Sequence, residues 1–520
     1  MIFRAPEPPL ALPEVPLTPF LLDRAAARGD KPALIDGPTG RTLTYQAWAA
    51  AVRRAAAGLA ARGFRKGDVL AIFSPNLPEY AVVFHAVSLV GGINTTINPL
   101  YTAVELRQQL KDAGARFLVT VPPCLEKAAE AARDTSVSEL FVFGEAEGAT
   151  AFGELLATDG DPPAVEIDPR RDLVVLPYSS GTTGLPKGVM LTHYNLVANL
   201  LQSAVVLRVD ERDTLLAVLP FFHIYGMQVI MNLGLYAGAT VVTMPRFDLE
   251  QYLEVLQRYR VTYANLVPPI VLALAKSPLV EKYDLSCLRV LFSGAAPLGV
   301  SVAQAASDRL GCRVIQGYGL TETSPVTHAT RCNDDHPKIA GIGQPLPNTE
   351  ARIIDVSTGA DLGPTKEGEI CVRGPQVMKG YLNRPEATAA MIDADGWLHT
   401  GDVGYADEDG CFFIVDRLKE LIKYKGMQIA PAELEAVLLS HPAVADAAVI
   451  PVASEEAGQV PKAFVVLKGD VAPDQVMGYV AERVAPYKKL RYLEVIDQIP
   501  KSPSGKILRR VLVDRERARA

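Results

Sequence analysis

Cysteine is scarce in this chain and never clustered. The six residues, Cys124, Cys287, Cys312, Cys332, Cys371 and Cys411, are scattered over 520 positions, which argues against a disulfide framework and a zinc cluster and reads as small buried hydrophobes. An excess of basic charge is also missing. The formal net charge is -7, so there is neither a nucleic-acid footprint nor a polybasic membrane anchor, and anionic substrates have to be met by local Lys and Arg. The opening residues Met-Ile-Phe-Arg-Ala-Pro-Glu-Pro-Pro carry prolines and an acid where an export signal needs an unbroken apolar run, and the closing Arg-Ala-Arg-Ala is not a peroxisomal address. The expectation is a cytoplasmic protein. Charge is absent altogether from Thr214 to Pro245, a length that imitates a membrane span. Pro220, His223, Gln228, Asn232 and three glycines interrupt it, and unpaired polar groups are costly in lipid, so the stretch reads as a buried strand, loop, helix and strand.

What is present centres on Tyr178-Ser-Ser-Gly-Thr-Thr-Gly-Leu-Pro-Lys-Gly-Val189, a loop between two apolar β-type runs. Gly181, Gly184 and Gly188 allow the backbone to bring N–H groups close to an anion, while Ser179, Ser180, Thr182 and Thr183 add hydroxyl donors and Lys187 a charge. It reads as a phosphate cradle. It is not a Walker A loop, because Lys187 stands between Pro186 and Gly188 instead of between Gly and Ser or Thr.

Upstream, Trp48, Val52, Ala55 and Leu59 recur at helical spacing, with Thr44 as N-cap and Gly63 as a stop. Strands at Val69–Phe73, Arg116–Val121 and Leu140–Phe143 alternate with helices at Tyr80–Val90 and Glu126–Arg133, which predicts an α/β layered fold. Downstream, Leu219-Pro-Phe-Phe-His-Ile-Tyr-Gly226 ends an apolar strand with one His among aromatics, a place a packed core histidine could also occupy. Ser293-Gly-Ala-Ala-Pro-Leu-Gly299 follows the strand Val290-Leu-Phe292, and its small residues leave room for a flat ring. Gln316-Gly-Tyr-Gly-Leu-Thr-Glu-Thr-Ser-Pro-Val326 clusters an aromatic face at Tyr318, a hydroxyl at Thr321 and a hard oxygen ligand at Glu322. Gly396-Trp-Leu-His-Thr-Gly-Asp402 puts a carboxylate at the end of a turn. Beyond Lys419 the pattern changes to a small α+β unit. It has helices from Pro431 and around Met477 to Val484, strands at Ala445–Val452 and Ala463–Leu467, and basic loops at Lys423–Gln428 and Pro500–Lys506.

The segment from Tyr178 to Leu191 closely resembles the phosphate loop of the adenylate-forming superfamily, which includes acyl-CoA synthetases, 4-coumarate:CoA ligases, luciferases and peptide-synthetase adenylation domains. At least five ordered motifs carry the resemblance over nearly the whole chain. It implies a large α/β amino-terminal domain (1–416), a hinge (417–419) with Lys419 and Lys423 at the moving joint, and a small mobile α+β domain (420–520). By the same resemblance ATP or AMP meets Ser179, Ser180, Gly181, Thr182, Thr183, Gly184, Lys187, Ala295, Gln316, Gly317, Tyr318, Thr321, Gln428 and Lys506, with Asp402 and Arg417 at the ribose. Glu322 holds Mg2+, and His223 lies between the acyl carboxylate and the α-phosphate. Arg246, Lys425 and Gly426 match positions beside coenzyme A. Tyr225, Val229, Phe292, Gly294, Gly319, Pro325 and Val326 resemble the compact acyl pocket of 4-coumarate:CoA ligases.

The reaction implied is attack of a carboxylate on ATP to give an acyl-adenylate, then transfer to coenzyme A, with Lys187 and Lys506 relieving the charge. Val229 and Phe292 depart from the Ser and Lys that plant hydroxycinnamate enzymes often carry, so cinnamate is expected to be accepted at least as well as caffeate. A medium- or long-chain fatty acyl-CoA synthetase shares every nucleotide motif. A non-catalytic nucleotide-binding protein is the rival from another class.

Overall fold

Local sequence sets the first layer directly. Thr44 Oγ1 accepts the Ala47 N–H at 3.1 Å, capping the helix Tyr45–Ala61 that buries Tyr45, Trp48, Val52, Ala55 and Leu59 on one face. The all-apolar run Val69–Phe73 is buried at every position, as expected of a parallel strand covered on both faces. These elements belong to a computed structural model that describes residues 1–158, 160–179, 186–334, 337–425, 427–454, 457–502 and 505–518.

Two large sheets share one core. An eight-stranded sheet orders its strands Gly380–Tyr381, Lys187–Thr192, Leu173–Ser179, Ile93–Ile97, Val69–Phe73, Ala115–Thr120, Glu139–Val142 and Thr150–Ala151. A nine-stranded sheet has the parallel strands Thr214–Ala217, Tyr263–Leu266, Val290–Ser293 and Arg313–Gly319 near its centre. Buried residues of both sheets, Ile72 and Leu216 among them, pack in a single cluster with Trp48, Tyr80 and Phe221. Short return strands turn antiparallel at the edges, so the carboxyl ends of the central strands open toward loops, where α/β sheets place ligands.

A third, antiparallel sheet joins Phe3–Arg4, Glu350–Ile354, Gly368–Arg373, Leu398–Ala406 and Phe412–Arg417. The smaller unit has its own sheet, with Ile422–Tyr424, Met427–Ile429, Val444–Ser454, Gly458–Leu467 and Tyr492–Val495, and its own core around Leu434, Val449, Val465 and Val480. The chain therefore has a large α/β domain and a smaller carboxyl-terminal one.

The charge-free stretch folds as its polar interruptions required: strand Thr214–Ala217, a loop, a π-helical turn over Tyr225–Asn232, helix Leu233–Ala237 and strand Thr240–Thr243. No helix among the described residues is long and apolar enough to cross a membrane. The helical face read as far as Val484 stops sooner, at Ala481. Asp402, read at the end of a turn, instead lies inside the strand Leu398–Ala406. Gly401 at φ 69° and a register shift between Val403 and Gly404 bend that strand locally while the ladder continues on both sides.

Candidate active site

Antiparallel pairing brings Lys187 opposite Ser179. The connecting turn, which carries Ser180, Gly181, Thr182, Thr183 and Gly184, lies outside the described residues, as does Gly426. Beneath the two strands, Ser179 Oγ donates to Glu322 Oε1 at 2.8 Å and the Tyr381 hydroxyl donates to the same oxygen at 2.7 Å. The Lys187 ammonium stands 4.6 Å from the centroid of the Tyr381 ring, a cation–π contact that steers it over this corner. Glu322 is only 6% exposed, and it has no ion pair among the described residues. Tyr381 was not singled out from sequence.

The second corner is built on the third sheet. Asp402 stands opposite Arg417 in the ladder, with Arg417 Nε 3.3 Å from Asp402 Oδ1, and the Tyr318 hydroxyl donates to Asp402 Oδ2 at 2.5 Å. Burial pushes the Asp402 carboxyl above its ordinary value, while Arg417, Tyr318 and Lys506 pull against it.

Lys506 arrives from the smaller domain. Its loop is closed by Ser502, which accepts the Gly505 N–H and donates its own N–H to the Lys506 carbonyl, both at 2.8 Å. Gly505 has φ +76° and lies so close to Val267 that a Cβ would stand 3.0 Å from Cγ2, so the loop is docked on the large domain where another side chain would be strained. Burial lowers the Lys506 amine to about 8, with Arg417 adding to the fall and Asp402, Glu420 and Glu322 opposing it. Arg509 fixes the base of the loop through Glu435 at 2.6 Å and through Glu420.

His223 completes the centre. Its Nδ1 accepts the Tyr225 N–H at 3.2 Å, which leaves the proton of the neutral ring on Nε2. Burial and the nearby Lys506 charge lower it to about 4, so it is neutral at physiological pH. The Tyr225 hydroxyl donates to the Phe292 carbonyl at 2.9 Å, and the two rings meet edge to face at 5.9 Å. Val229, Phe292 and Val326 are buried nearby in the same core.

The structure thus brings Ser179, Lys187, His223, Tyr318, Glu322, Asp402, Arg417 and Lys506 to one cleft between the domains. Other expected residues stand differently. Gln316 is buried with its side chain already engaged, accepting Leu298 N–H at 3.2 Å and donating to the Ile339 carbonyl at 2.5 Å, and so holds the 294–299 turn. Ala295 in that turn has φ 69° and is exposed. Gly317 sits in the ladder opposite Ala329, Gly319 opposite Val326 and beside Pro325, and Thr321 opens a short 3-10 turn. Arg246, Lys419, Lys423, Lys425 and Gln428 are exposed; Lys423 and Gln428 pair in one hairpin.

These features define an enzyme that handles a nucleotide polyphosphate in a two-domain cleft. The AMP-binding enzyme family model matches residues 21–382, and the model for the AMP-binding enzyme C-terminal domain matches 433–506; the chain belongs to this adenylate-forming family. It is 46% identical over 523 residues to 4-coumarate–CoA ligase 5 of Oryza sativa subsp. japonica, covering 98% of this chain and 96% of the relative. Among solved structures, ATP-bound MatB from Rhodopseudomonas palustris superposes with a TM-score of 0.86 at 30% identity, over 95% of this chain and 98% of that one. The o-succinylbenzoate CoA synthetase of Bacillus subtilis, in complex with its acyl-adenylate intermediate, gives 0.83 at 33% identity over 96% and 98%. Within the family the chain is an AMP-forming acyl-CoA ligase, in the branch closely related to plant 4-coumarate–CoA ligases, with a carboxylic acid, ATP and coenzyme A as substrates.

Proposed function

We propose that the acid is a phenylpropenoate and that the eight clustered residues perform its adenylation. The observation that carries this reading is the docking of Lys506, from one domain, within electrostatic reach of His223, Glu322 and Asp402 on the other, near the buried Tyr225–Phe292 ring pair.

In the first half-reaction a carboxylate oxygen attacks the α-phosphorus of ATP, the bond to the β-phosphate oxygen breaks, and pyrophosphate leaves. Tyr318 offers its face to adenine, and Asp402 with Arg417 receives the ribose hydroxyls. Ser179, Lys187 and the turn they flank hold the phosphates. The neutral His223 donates from Nε2 to the acid or the α-phosphate without a full charge that would lock the nucleophile. Lys506, still largely protonated at pH 7, stabilises the negative charge that builds at phosphorus in a desolvated site.

A buried carboxylate with one oxygen fixed by two hydroxyls and no ion pair among the described residues suits a hard divalent ion. Glu322 would hold magnesium there, and the chemistry a bound magnesium supplies is Lewis-acid stabilisation of phosphate charge.

In the second half-reaction the coenzyme A thiolate attacks the acyl carbonyl, its proton having gone to solvent, and AMP leaves. We assign the domain limits 1–416 and 420–520 and the hinge at Lys419, whose rotation withdraws Lys506 and carries the 423–428 hairpin toward the site with Lys425 and Gly426, while Arg246 meets the phosphates of coenzyme A. The exposed hairpin and docked Lys506 suit the orientation for the first step. The test is coenzyme A-dependent AMP release over cinnamate, 4-coumarate, caffeate, benzoate, octanoate and palmitate. Highest kcat/KM on the phenylpropenoates is expected, and highest kcat/KM on an alkanoate overturns the substrate assignment.

A further inference from the structure

Buried amides almost always find partners, because leaving one unpaired costs the full price of its desolvation. Asn265 is 1% exposed, yet among the described residues neither its Nδ2 nor its Oδ1 has a hydrogen-bond partner. The sheet register says where the amide lies. Asn265 is paired in parallel with Phe292, and on its other side the strand Thr214–Ala217 runs in register so that Leu216 meets Ala264, which sets Ala217 beside Asn265. Neighbours at one register level of a parallel sheet present their side chains to the same face. Asn265 is therefore flanked by an alanine and a phenylalanine, and neither can answer it.

On the phenylpropenoate reading, that face is the acyl pocket. Gly294, two residues beyond Phe292 and so on the same side of the strand, would put a Cβ 3.1 Å from the Tyr225 ring. Phe292 itself lies edge-on to Tyr225, and its ring passes so close to Gly317 that a Cβ there would stand at 2.4 Å. Asn265 and Phe292 sit two residues deeper than Gly294, ~7 Å further along the strand from the mouth. The reacting end, at His223, is on the mouth side. One level deeper again, Tyr263 presents a hydroxyl that is likewise buried and, among the described residues, unpartnered.

We infer that Asn265 is a specificity-determining residue that hydrogen-bonds a polar substituent at the far end of the acid, the para-hydroxyl of a hydroxycinnamate being the group of matching reach and chemistry. The inference rests on the phenylpropenoate reading and deepens it. It reverses the expectation drawn from Val229 and Phe292, because a ring hydroxyl is left without a partner only if those two are its sole neighbours. The amide offers both a donor and an acceptor, so it can take a phenol in either role. The Tyr225 hydroxyl already donates to the Phe292 carbonyl, so toward a substrate phenol it keeps only its acceptor capacity.

The test compares 4-coumarate with 4-methylcinnamate, which has the same outline and no hydroxyl, in the wild type and in Asn265→Leu, which keeps the branching of the side chain and removes its polar atoms. The wild type is expected to favour 4-coumarate in kcat/KM, and the variant to lower that preference ~10-fold, since a site that hydrogen-bonds a substrate hydroxyl discriminates against the analogue without it. Asn265→Ala, which leaves space instead of a leucine, is expected to lower the preference too. Asn265→Leu should also melt no lower than the wild type, as an unpaired amide gives way to an apolar group; a clearly lower melting temperature shows that the protein or a water holds the amide and overturns the inference. An unchanged preference in an enzyme that does use both phenylpropenoates overturns it alone. Turnover confined to alkanoates removes the substrate reading first and the inference with it.

Discussion

Replacing Lys506 by methionine keeps most of the stem's packing and removes only the charge. The amine lies at about 8 instead of its ordinary 10.5 because the docked loop takes it out of water beside Arg417. At ~1.4 kcal/mol for each tenfold change in proton affinity, holding that charge in the cleft costs up to ~3 kcal/mol. A polyanionic transition state recovers the cost, so the charge is worth most at the moment pyrophosphate departs. Loss of one such preorganised group slows the chemical step ~100- to 1,000-fold. The assay separates the half-reactions: pyrophosphate release from ATP and acid on one side, thioester formation from supplied acyl-adenylate and coenzyme A on the other. Lys506→Met should collapse the first and leave the second within about threefold, because the proposed rotation has removed Lys506 before the thiol attacks. Equal loss in both halves would refute the assignment.

Other outcomes follow from the same contacts. Since the folded Lys506 amine titrates below its unfolded value, the unfolded chain binds the proton more tightly. Lys506→Met should therefore be the more stable protein below pH 8, by up to ~3 kcal/mol, with the advantage fading as pH rises to 10.5; denaturant melts across that range check the sign. The same amine predicts that kcat/KM for adenylation falls as pH rises through about 8, and that Lys506→Met loses this limb of the profile. Tyr381→Phe removes one of the two donors on Glu322 Oε1 and should raise the magnesium concentration needed for half-maximal rate ~10-fold or more, an effect absent if Glu322 does not hold the ion. Asp402→Ala leaves Arg417 and the Tyr318 hydroxyl without their shared acceptor and should raise KM for ATP more than KM for the acid.

Motifs made of neighbours in sequence were legible, and partners brought together by topology were not. The strand Val69–Phe73 and the cap at Thr44 are local properties, a buried apolar run and a hydroxyl one turn before the amide it accepts. The charge-free 214–245 stretch reads as strand, loop, helix and strand because its polar interruptions lie within it. Asp402 reads as a turn residue because a glycine precedes it, whereas the strand Leu398–Ala406 runs on through Gly401. The third sheet escaped notice because its strands pair over long separations, Phe3 with Ala351 at the extreme. Gln316 stands in a nucleotide-like motif, and only the fold shows its amide engaged by Leu298 and Ile339. Tyr381 and Asn265 carry no local signal: one is found only through the carboxylate it reaches, the other only through an amide left without a partner among the described residues.

The most direct test of the account mixes the enzyme with ATP, magnesium and 4-coumarate in the absence of coenzyme A, then adds the thiol. An enzyme-bound coumaroyl-adenylate should accumulate with one equivalent of pyrophosphate and convert on addition to coumaroyl-CoA and AMP. Formation of ADP and phosphate, or of no adenylate with any phenylpropenoate, would contradict it.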